Sequence, residues 1–473
     1  MGNHRLSRRE FIRLSALVSL GFTGLQAFAG NLATPPRAKR MVKGYGPLTH
    51  DRDGILNLPR NFSYKIISRA GERMSDGLRV PGRPDGMATF RGQNGKTLIL
   101  RNHELDVDMR DKSPFGMRHE YLTRSMKAQL YDAGPLNGEP CPGGCTTLVF
   151  DTATQRVEEE FLSLAGTLRN CAGGPTPWNT WISCEETVDG PCSIFTQWHG
   201  YPFEVPASEE QKLCDPIPLR DMGRFQHEAV CVDPRTGIVY QTEDRPDGLI
   251  YRYIPNEYGN LRGGGRLQAL MILGEPSKDT RNWPELEIEV FPEGVPVSVT
   301  WMDLEEIHAP ADDLRKRGFG RGAARFARGE GMWFGENELY FACTNGGSKQ
   351  QGQIFRYVPS PHEGTARENE SPGQLELFLE SDRSRLVQHC DNLTIGPSGD
   401  LVVCEDRPHP RIMGITPSGG SYVIAENVGF ESEFAGAVFS PDGTTMFVNI
   451  QDAGLTIAIT GPWGKSTEST AQR

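Results

Sequence analysis

Acidic residues recur in this chain at the ends of short apolar runs, and in one place a cysteine takes the acid's position. The paired segments are Asp85-Gly86-Met87 with Asn102-His103-Glu104, Cys171-Ala172-Gly173 with Cys184-Glu185-Glu186, and His227-Glu228-Ala229 with Thr242-Glu243-Asp244. Three more follow: Gly329-Glu330-Gly331 with Cys343-Thr344-Asn345, Cys390-Asp391-Asn392 with Cys404-Glu405-Asp406, and Phe434-Ala435-Gly436 with Asn449-Ile450-Gln451. Carboxylates gathered at contact distance repel one another and stay ionised only with protons or cations between them. Metal ligation is therefore the chemistry to expect. The candidate ligands are Glu104, Glu185 or Glu186, Glu228, Glu330, Asp391 and Glu405, with Asn102, His103 and Asn392 as neutral donors. Oxygen-rich sets select hard ions such as calcium, magnesium or ferric iron, whereas a thiolate from Cys171 favours a transition metal. The pattern predicts a mixed site, one part oxygen-only and one part including sulfur. His103 and His227 are either ligands or orienters of the neighbouring Glu. Taken singly, each acid is also an ordinary strand-end or turn residue; recurrence in phase is what argues for a site.

The elements that must position these residues are β-hairpins. Turn signals such as Asp233-Pro234-Arg235-Thr236-Gly237, Pro397-Ser398-Gly399-Asp400 and Pro441-Asp442-Gly443 sit between the paired ends, each followed by an apolar run. A hairpin returns its exit to the end where it opened, so the opening and closing polar residues become neighbours. Six such hairpins as the inner strands of six blades would converge those ends on one face of a central channel. The predicted fold is all-β, a six-bladed β-propeller with loop insertions, spanning residues 30–473 as one domain with insertions near 187–222 and 255–325. Segments 248–253 and 352–357 read as third blade strands, and 311–325 as a short helix or an active-site loop. Residues 30–60 read as a polar lead-in. The last unit has no acid in its end triplets, Glu433 and Asp452 lying just outside, and is predicted to close the ring without ligating.

Composition agrees. Only 37% of the 473 residues are hydrophobic, against 54 Gly and 34 Pro, which suits short strands and turns and leaves helix scarce. The net charge is −11; the first 29 residues hold four Arg and one Glu, so the remainder carries −14. Nucleic acid is excluded as a natural partner, and an anionic substrate needs a local cation to invert the field. At the N-terminus Ser7-Arg8-Arg9-Glu10-Phe11-Ile12, an uncharged stretch and Ala27-Phe28-Ala29 read as a twin-arginine signal over residues 1–29. The expectation is a periplasmic or secreted protein handled by the twin-arginine export machinery, with no stable membrane insertion. Of ten cysteines, Cys184, Cys231, Cys343 and Cys404 fall in or beside apolar strands and read as buried small hydrophobes. Cys141 and Cys145 lack a second pair at zinc-site spacing and read as a loop, open to a disulfide after export.

Several longer stretches resemble a known family. Gly166-Thr167-Leu168-Arg169-Asn170-Cys171-Ala172-Gly173-Gly174-Pro175-Thr176-Pro177-Trp178 with Cys184-Glu185-Glu186, Gly223-Arg224-Phe225-Gln226-His227-Glu228-Ala229, Cys390-Asp391-Asn392-Leu393-Thr394, and Phe439-Ser440-Pro441-Asp442-Gly443 to Ile459-Thr460-Gly461-Pro462-Trp463 are similar to the PhoX-type alkaline phosphatases. The resemblance implies a six-bladed propeller whose channel holds paired ferric iron (Fe3+) bridged by oxygen, together with calcium (Ca2+), and hydrolyses phosphate monoesters. It implies that Cys171 ligates iron, that Glu228 and Glu330 bind or bridge metal, and that Arg328 holds the substrate phosphate. The motif around Arg328 reads Arg-Gly-Glu where the family pattern is Arg-Pro-Glu. Lys349 is a possible second phosphate contact.

The chemistry of Arg328 fits that role independently, because a guanidinium binds phosphate through two parallel hydrogen bonds. No G-x-S-x-G elbow supports a covalent serine route. The expected function is thus an exported metal-dependent phosphatase acting on a phosphate-ester substrate. The alternatives are a calcium-dependent lactonase and a non-catalytic envelope binding propeller of the same fold.

Overall fold

The computed structural model describes residues 40–136, 138–287, 289–382 and 386–464. The twin-arginine segment lies outside them. Each of the six paired segments forms an antiparallel hairpin: Pro84–Arg91 with Lys96–His103, Asn170–Pro175 with Thr180–Glu185, His227–Val232 with Val239–Glu243, Gly329–Phe334 with Leu339–Cys343, Cys390–Ile395 with Leu401–Glu405, and Phe434–Phe439 with Thr445–Ile450. We call them the first to the sixth hairpin.

Outer strands extend these hairpins into five sheets of seven, three, nine, four and four strands. The architecture is all-β and propeller-like. Ile250–Pro255 and Gln353–Val358 add as third strands to the third and fourth hairpins, as the sequence predicts. Val297–Asp303 pairs with Gly265–Ile272 on one side and Gln374–Glu380 on the other, which joins those two sheets into the nine-stranded one. Pro202–Pro206, within the first insertion, is the third strand of the second hairpin. Helix is short among the described residues; Leu314–Gly320 is the longer α-helix, and it buries Leu314, Arg315 and Gly318. No helix among the described residues is long and apolar enough to cross a membrane.

The N-terminal region does more than lead in. Leu56–Pro59 pairs with Gly420–Asn427 on the fifth hairpin's sheet, and Ser63–Arg69 pairs with Leu455–Thr460 on the sixth's. Asp51 fixes this segment by accepting hydrogen bonds from the Ile55 and Leu56 N–H groups (2.8 and 3.1 Å) and from the Tyr64 hydroxyl (2.6 Å).

The opening strands of successive hairpins pack side by side in a closed ring, the sixth against the first. Their backbones approach closely. A Cβ on Gly86 would lie 2.6 Å from Ala172 Cα, and one on Gly331 would lie 2.6 Å from the Leu393 nitrogen, so only glycine fits at either place. Side chains stitch the ring: Asn102 Nδ2 donates to the carbonyls of Cys171 and Ala172 (3.1 and 2.8 Å), Thr242 Oγ1 to the Glu330 carbonyl (2.7 Å), and Asn449 Nδ2 to the Asp85 carbonyl (2.6 Å). Apolar clusters fill the space between sheets, for instance Tyr240, Phe341, Phe355 and Leu377 between the third and fourth.

Candidate metal centre

Every hairpin closes with the same bond. The N–H after the exit strand donates to the carbonyl of the residue just before the opening strand: Glu104 to Arg83 (3.0 Å), Glu186 to Arg169 (2.9 Å), Asp244 to Gln226 (3.1 Å), Thr344 to Arg328 (3.0 Å), Asp406 to His389 (3.0 Å) and Gln451 to Glu433 (3.2 Å). This bond aligns the six repeats and sorts the ring into tiers. The second residues of the opening strands are Asp85, Cys171, Glu228, Glu330, Asp391 and Ala435. In the first five hairpins the register breaks at this residue, a β-bulge; in the sixth it breaks one residue later, after Ala435. A bulge re-aims a side chain out of the sheet's alternation, here toward the ring's centre.

Cys171, Glu186 and Glu228 offer ligand atoms within 4.8 Å of one another, and so do Glu228, Glu330 and Asp391. Glu228 belongs to both sets. One set contains sulfur and the other only oxygen.

The electrostatics of the cluster call for cations. Burial raises the pKa of Glu228, and Glu186, Asp391 and Asp85 raise it further. Burial, then Asp244, Glu228 and Asp391, does the same to Glu330. Asp391 is pushed up to about 7 by burial and Asp406, and Glu186 to about 8 by burial, Asp244 and Glu104. The Cys171 thiol is raised well above its ordinary value by burial and by Glu228, Glu186 and Asp85. Metal ligation needs the deprotonated forms, and only positive charge inside the cluster supplies them. The donor chemistry fits a mixed group of hard cations and one thiolate-preferring metal.

A basic rim stands over the acids. Arg83, Arg169, Arg328 and His389 precede their strands with φ of 43°, 46°, 47° and 49°, a left-handed backbone unfavourable for side chains of this size. Arg328 grips Asp244 with two parallel bonds (Nε to Oδ1 and Nη2 to Oδ2, both 2.8 Å) and reaches Glu330 at 3.2 Å. Arg169 donates to Glu186 at 2.9 Å, and Arg83 to Glu104 at 2.7 Å.

The other sequence-predicted residues lie outside the two donor sets. Glu104 is held by Arg83 and by Gln451 Nε2 (3.0 Å), which also bonds Asp85. Asn392 Oδ1 accepts the Gly436 N–H, linking the fifth hairpin to the sixth. Glu185 accepts from His199 Nδ1 (2.7 Å) and from the N–H groups of Leu168, Gly200 and Tyr201. Glu405 accepts from Arg411 (2.6 and 2.8 Å) and the Gln388 N–H. The reason is strand alternation: successive side chains face opposite sides, so Glu186 and Asp406 turn inward while Glu185 and Glu405 turn away. His103 and His227 orient no acid; they bond the carbonyls of Gly82 (2.9 Å) and Gly223 (3.1 Å), and burial holds both pKa values down, His227 at about 3. Lys349 is exposed on the loop leaving the fourth hairpin's exit. Cys141 and Cys145 are both buried free thiols.

Four acids were missed as ligand candidates: Asp85, Asp244, Asp406 and Glu433. Alternation applied to the exit strands points to Asp244 and Asp406. Glu433 lies just outside the sixth unit's end triplets, yet its pKa is raised by burial and then by Asp391, Asp406, Asp85 and Glu104, which places it in the acid cluster. In register it occupies the position that Arg328 takes in the fourth hairpin.

The sequence model of a family described as alkaline phosphatase PhoX matches residues 43–151 and 141–454. No curated protein gives a significant match. Solved structures similar to this chain include a gluconolactonase from Xanthomonas campestris (11% identity, 88% of this chain and 98% of that one, TM-score 0.36). Others are the β-propeller domain of Myceliophteria thermophila Cps50 (8% identity, 84% and 99%, TM-score 0.40) and a luciferin-regenerating enzyme (8% identity, 86% and 98%, TM-score 0.40).

Proposed function

The chain belongs to the PhoX alkaline phosphatase family, and from that premise we propose that it is an exported metal-dependent phosphatase hydrolysing phosphate monoesters at the ring of acids. The observation that carries the reading is Glu228, shared between a sulfur-containing donor set and an oxygen-only one. We assign paired ferric iron and calcium to these sets, iron at the side of Cys171 and harder, oxygen-only ligation toward Glu330 and Asp391. When bound, the ions would neutralise phosphoryl charge and supply the attacking oxygen.

The protein's own contribution is positioning. Four of the five bulged residues, Cys171, Glu228, Glu330 and Asp391, fall in the two donor sets, and Glu228, common to both, fixes the spacing between the halves. Asp244 anchors Arg328 through Nε and Nη2, leaving the Nη1 N–H groups for a phosphate oxygen. The remaining acids keep the field negative enough that an anionic substrate enters only once cations are in place. We count six blades, the nine-stranded sheet being two joined through Val297–Asp303. The mature protein would begin near residue 30 after twin-arginine export to the periplasm or the medium.

The test is hydrolysis by purified holoprotein of p-nitrophenyl phosphate set against a simple lactone. Phosphate release without lactone opening supports the reading; lactone opening by a protein holding calcium and no iron replaces it.

A further inference from the structure

Asp132, Cys141 and His199 form a third donor set, away from the ring's centre, with ligand atoms within 4.8 Å of one another and all three residues fully buried. Two contacts of the imidazole differ in kind. Nδ1 makes an ordinary bond to Glu185 at 2.7 Å, whereas Nε2 faces Asp132 Oδ2 at 3.4 Å and Cys141 Sγ at 3.8 Å. A direct charge-assisted bond would be about 2.7–2.9 Å. Metal–ligand bonds of ~2.0–2.3 Å in tetrahedral array instead separate neighbouring donors by roughly 3.3–3.6 Å. The Nε2–Oδ2 separation falls within that range and the Nε2–Sγ separation just beyond it, so a small cation fits among the three donors once the thiol moves slightly inward.

From this geometry we propose that Cys141 Sγ, His199 Nε2 and Asp132 Oδ2 supply three of the four ligands of a transition-metal ion of the zinc class, with a water in the fourth tetrahedral position. Thiolate, imidazole and carboxylate are zinc's own ligand types, and the thiolate and carboxylate neutralise a dication in a dry setting. Glu185 supplies the carboxylate that orients a ligating histidine through its other nitrogen. The supporting contacts are in place: Asp132 is held by the N–H groups of Gly134, Thr196 and Gln197, and Tyr131 and Phe195 pack edge-on against the imidazole at 5.4 and 5.3 Å. The Cys141 N–H closes the 132–141 loop on the Asp132 carbonyl (3.1 Å). The ion would pin that loop and the first insertion to the exit of the second hairpin, one residue from Glu186. Glu185, turned away from the ring by strand alternation, is there to orient His199.

Anomalous diffraction at the zinc edge from crystals of wild-type holoprotein, produced in zinc-supplemented cells, tests this directly. A peak between Cys141 Sγ and His199 Nε2 is expected, and its absence overturns the proposal in favour of a protonated imidazole between carboxylates. Elemental analysis adds a second readout: Cys141→Ser should lose one zinc equivalent per chain, whereas Cys171→Ser should keep it. Equal zinc in wild type and Cys141→Ser also overturns the assignment.

Discussion

Arg328 and Asp244 are joined by two parallel hydrogen bonds of 2.8 Å, so the exit of the third hairpin sets the direction of a guanidinium that opens the fourth. The two hairpins thereby share the arm to which we assign the substrate phosphate. Asp244→Asn keeps the shape but loses the charge-assisted pair. It should raise KM for p-nitrophenyl phosphate about tenfold while Arg328→Gln lowers kcat/KM about 100-fold. Steady-state kinetics of the two variants check this, and an Arg328→Gln enzyme with unchanged kcat/KM would remove Arg328 from the site.

Cys171 is the single sulfur among the inward second-position residues. Cys171→Ser should strip the thiolate-preferring metal and leave most of the calcium, because Glu330 and Asp391 are untouched. Elemental analysis of wild type and variant, purified identically, reads the difference. Loss of both metals in equal proportion would count against two distinct halves.

Removing metal should expose the repulsion among Asp85, Glu228, Glu330, Asp391 and Glu433. In chelated protein, Glu433→Gln should raise the melting temperature by on the order of 1–3 °C, since a neutral amide avoids the cost of burying or protonating a carboxyl among like charges. In metal-loaded protein the gain should vanish or reverse. Differential scanning calorimetry of the four samples decides it; identical shifts with and without metal would mean that Glu433 does not sense the ions.

Gly331 lets the fourth hairpin lie against the fifth, with the Asn392 Cα 2.7 Å from where a Cβ would stand. The obstacle is backbone, which cannot swing aside. Gly331→Ala should therefore lower stability by about 1–3 kcal/mol and reduce metal retained at Glu330 and Asp391, as chemical denaturation and elemental analysis would show.

Asp51 supplies a pH dependence away from the metals. Burial alone would raise its pKa, but hydrogen bonds from Tyr64 and from the N–H groups of Ile55, Leu56 and Asp53 hold it down to about 2. A depressed carboxylate stabilises the fold above its unfolded pKa of roughly 4, and that contribution is lost as pH falls toward 2. Asp51→Asn should be less stable than wild type at neutral pH, and the two denaturation midpoints should converge as pH falls from about 4 to 2.

Much of this was legible in the chain. The turn signals and the paired polar ends give all six hairpins, and the break in pattern at Cys171 gives the mixed chemistry of the two donor sets. Two kinds of information were not. Strand alternation beside a bulge decides which of Glu185 and Glu186, or Glu405 and Asp406, turns inward, and a bulge cannot be located from composition. Glu433 needed the closing bond from Gln451 to place it in register. The third donor set was hidden because Asp132, Cys141 and His199 are brought together by loops whose path no periodicity records.

On the proposed function, phosphate-ester hydrolysis depends on metal at the Cys171, Glu228 and Glu330 cluster. The most direct test titrates metal back into chelated, natively exported protein and follows iron and calcium content against turnover of p-nitrophenyl phosphate in the same samples. Turnover should rise in proportion to occupancy of both metals and reach the wild-type rate when both are full. Full occupancy of iron and calcium with no turnover would contradict the account.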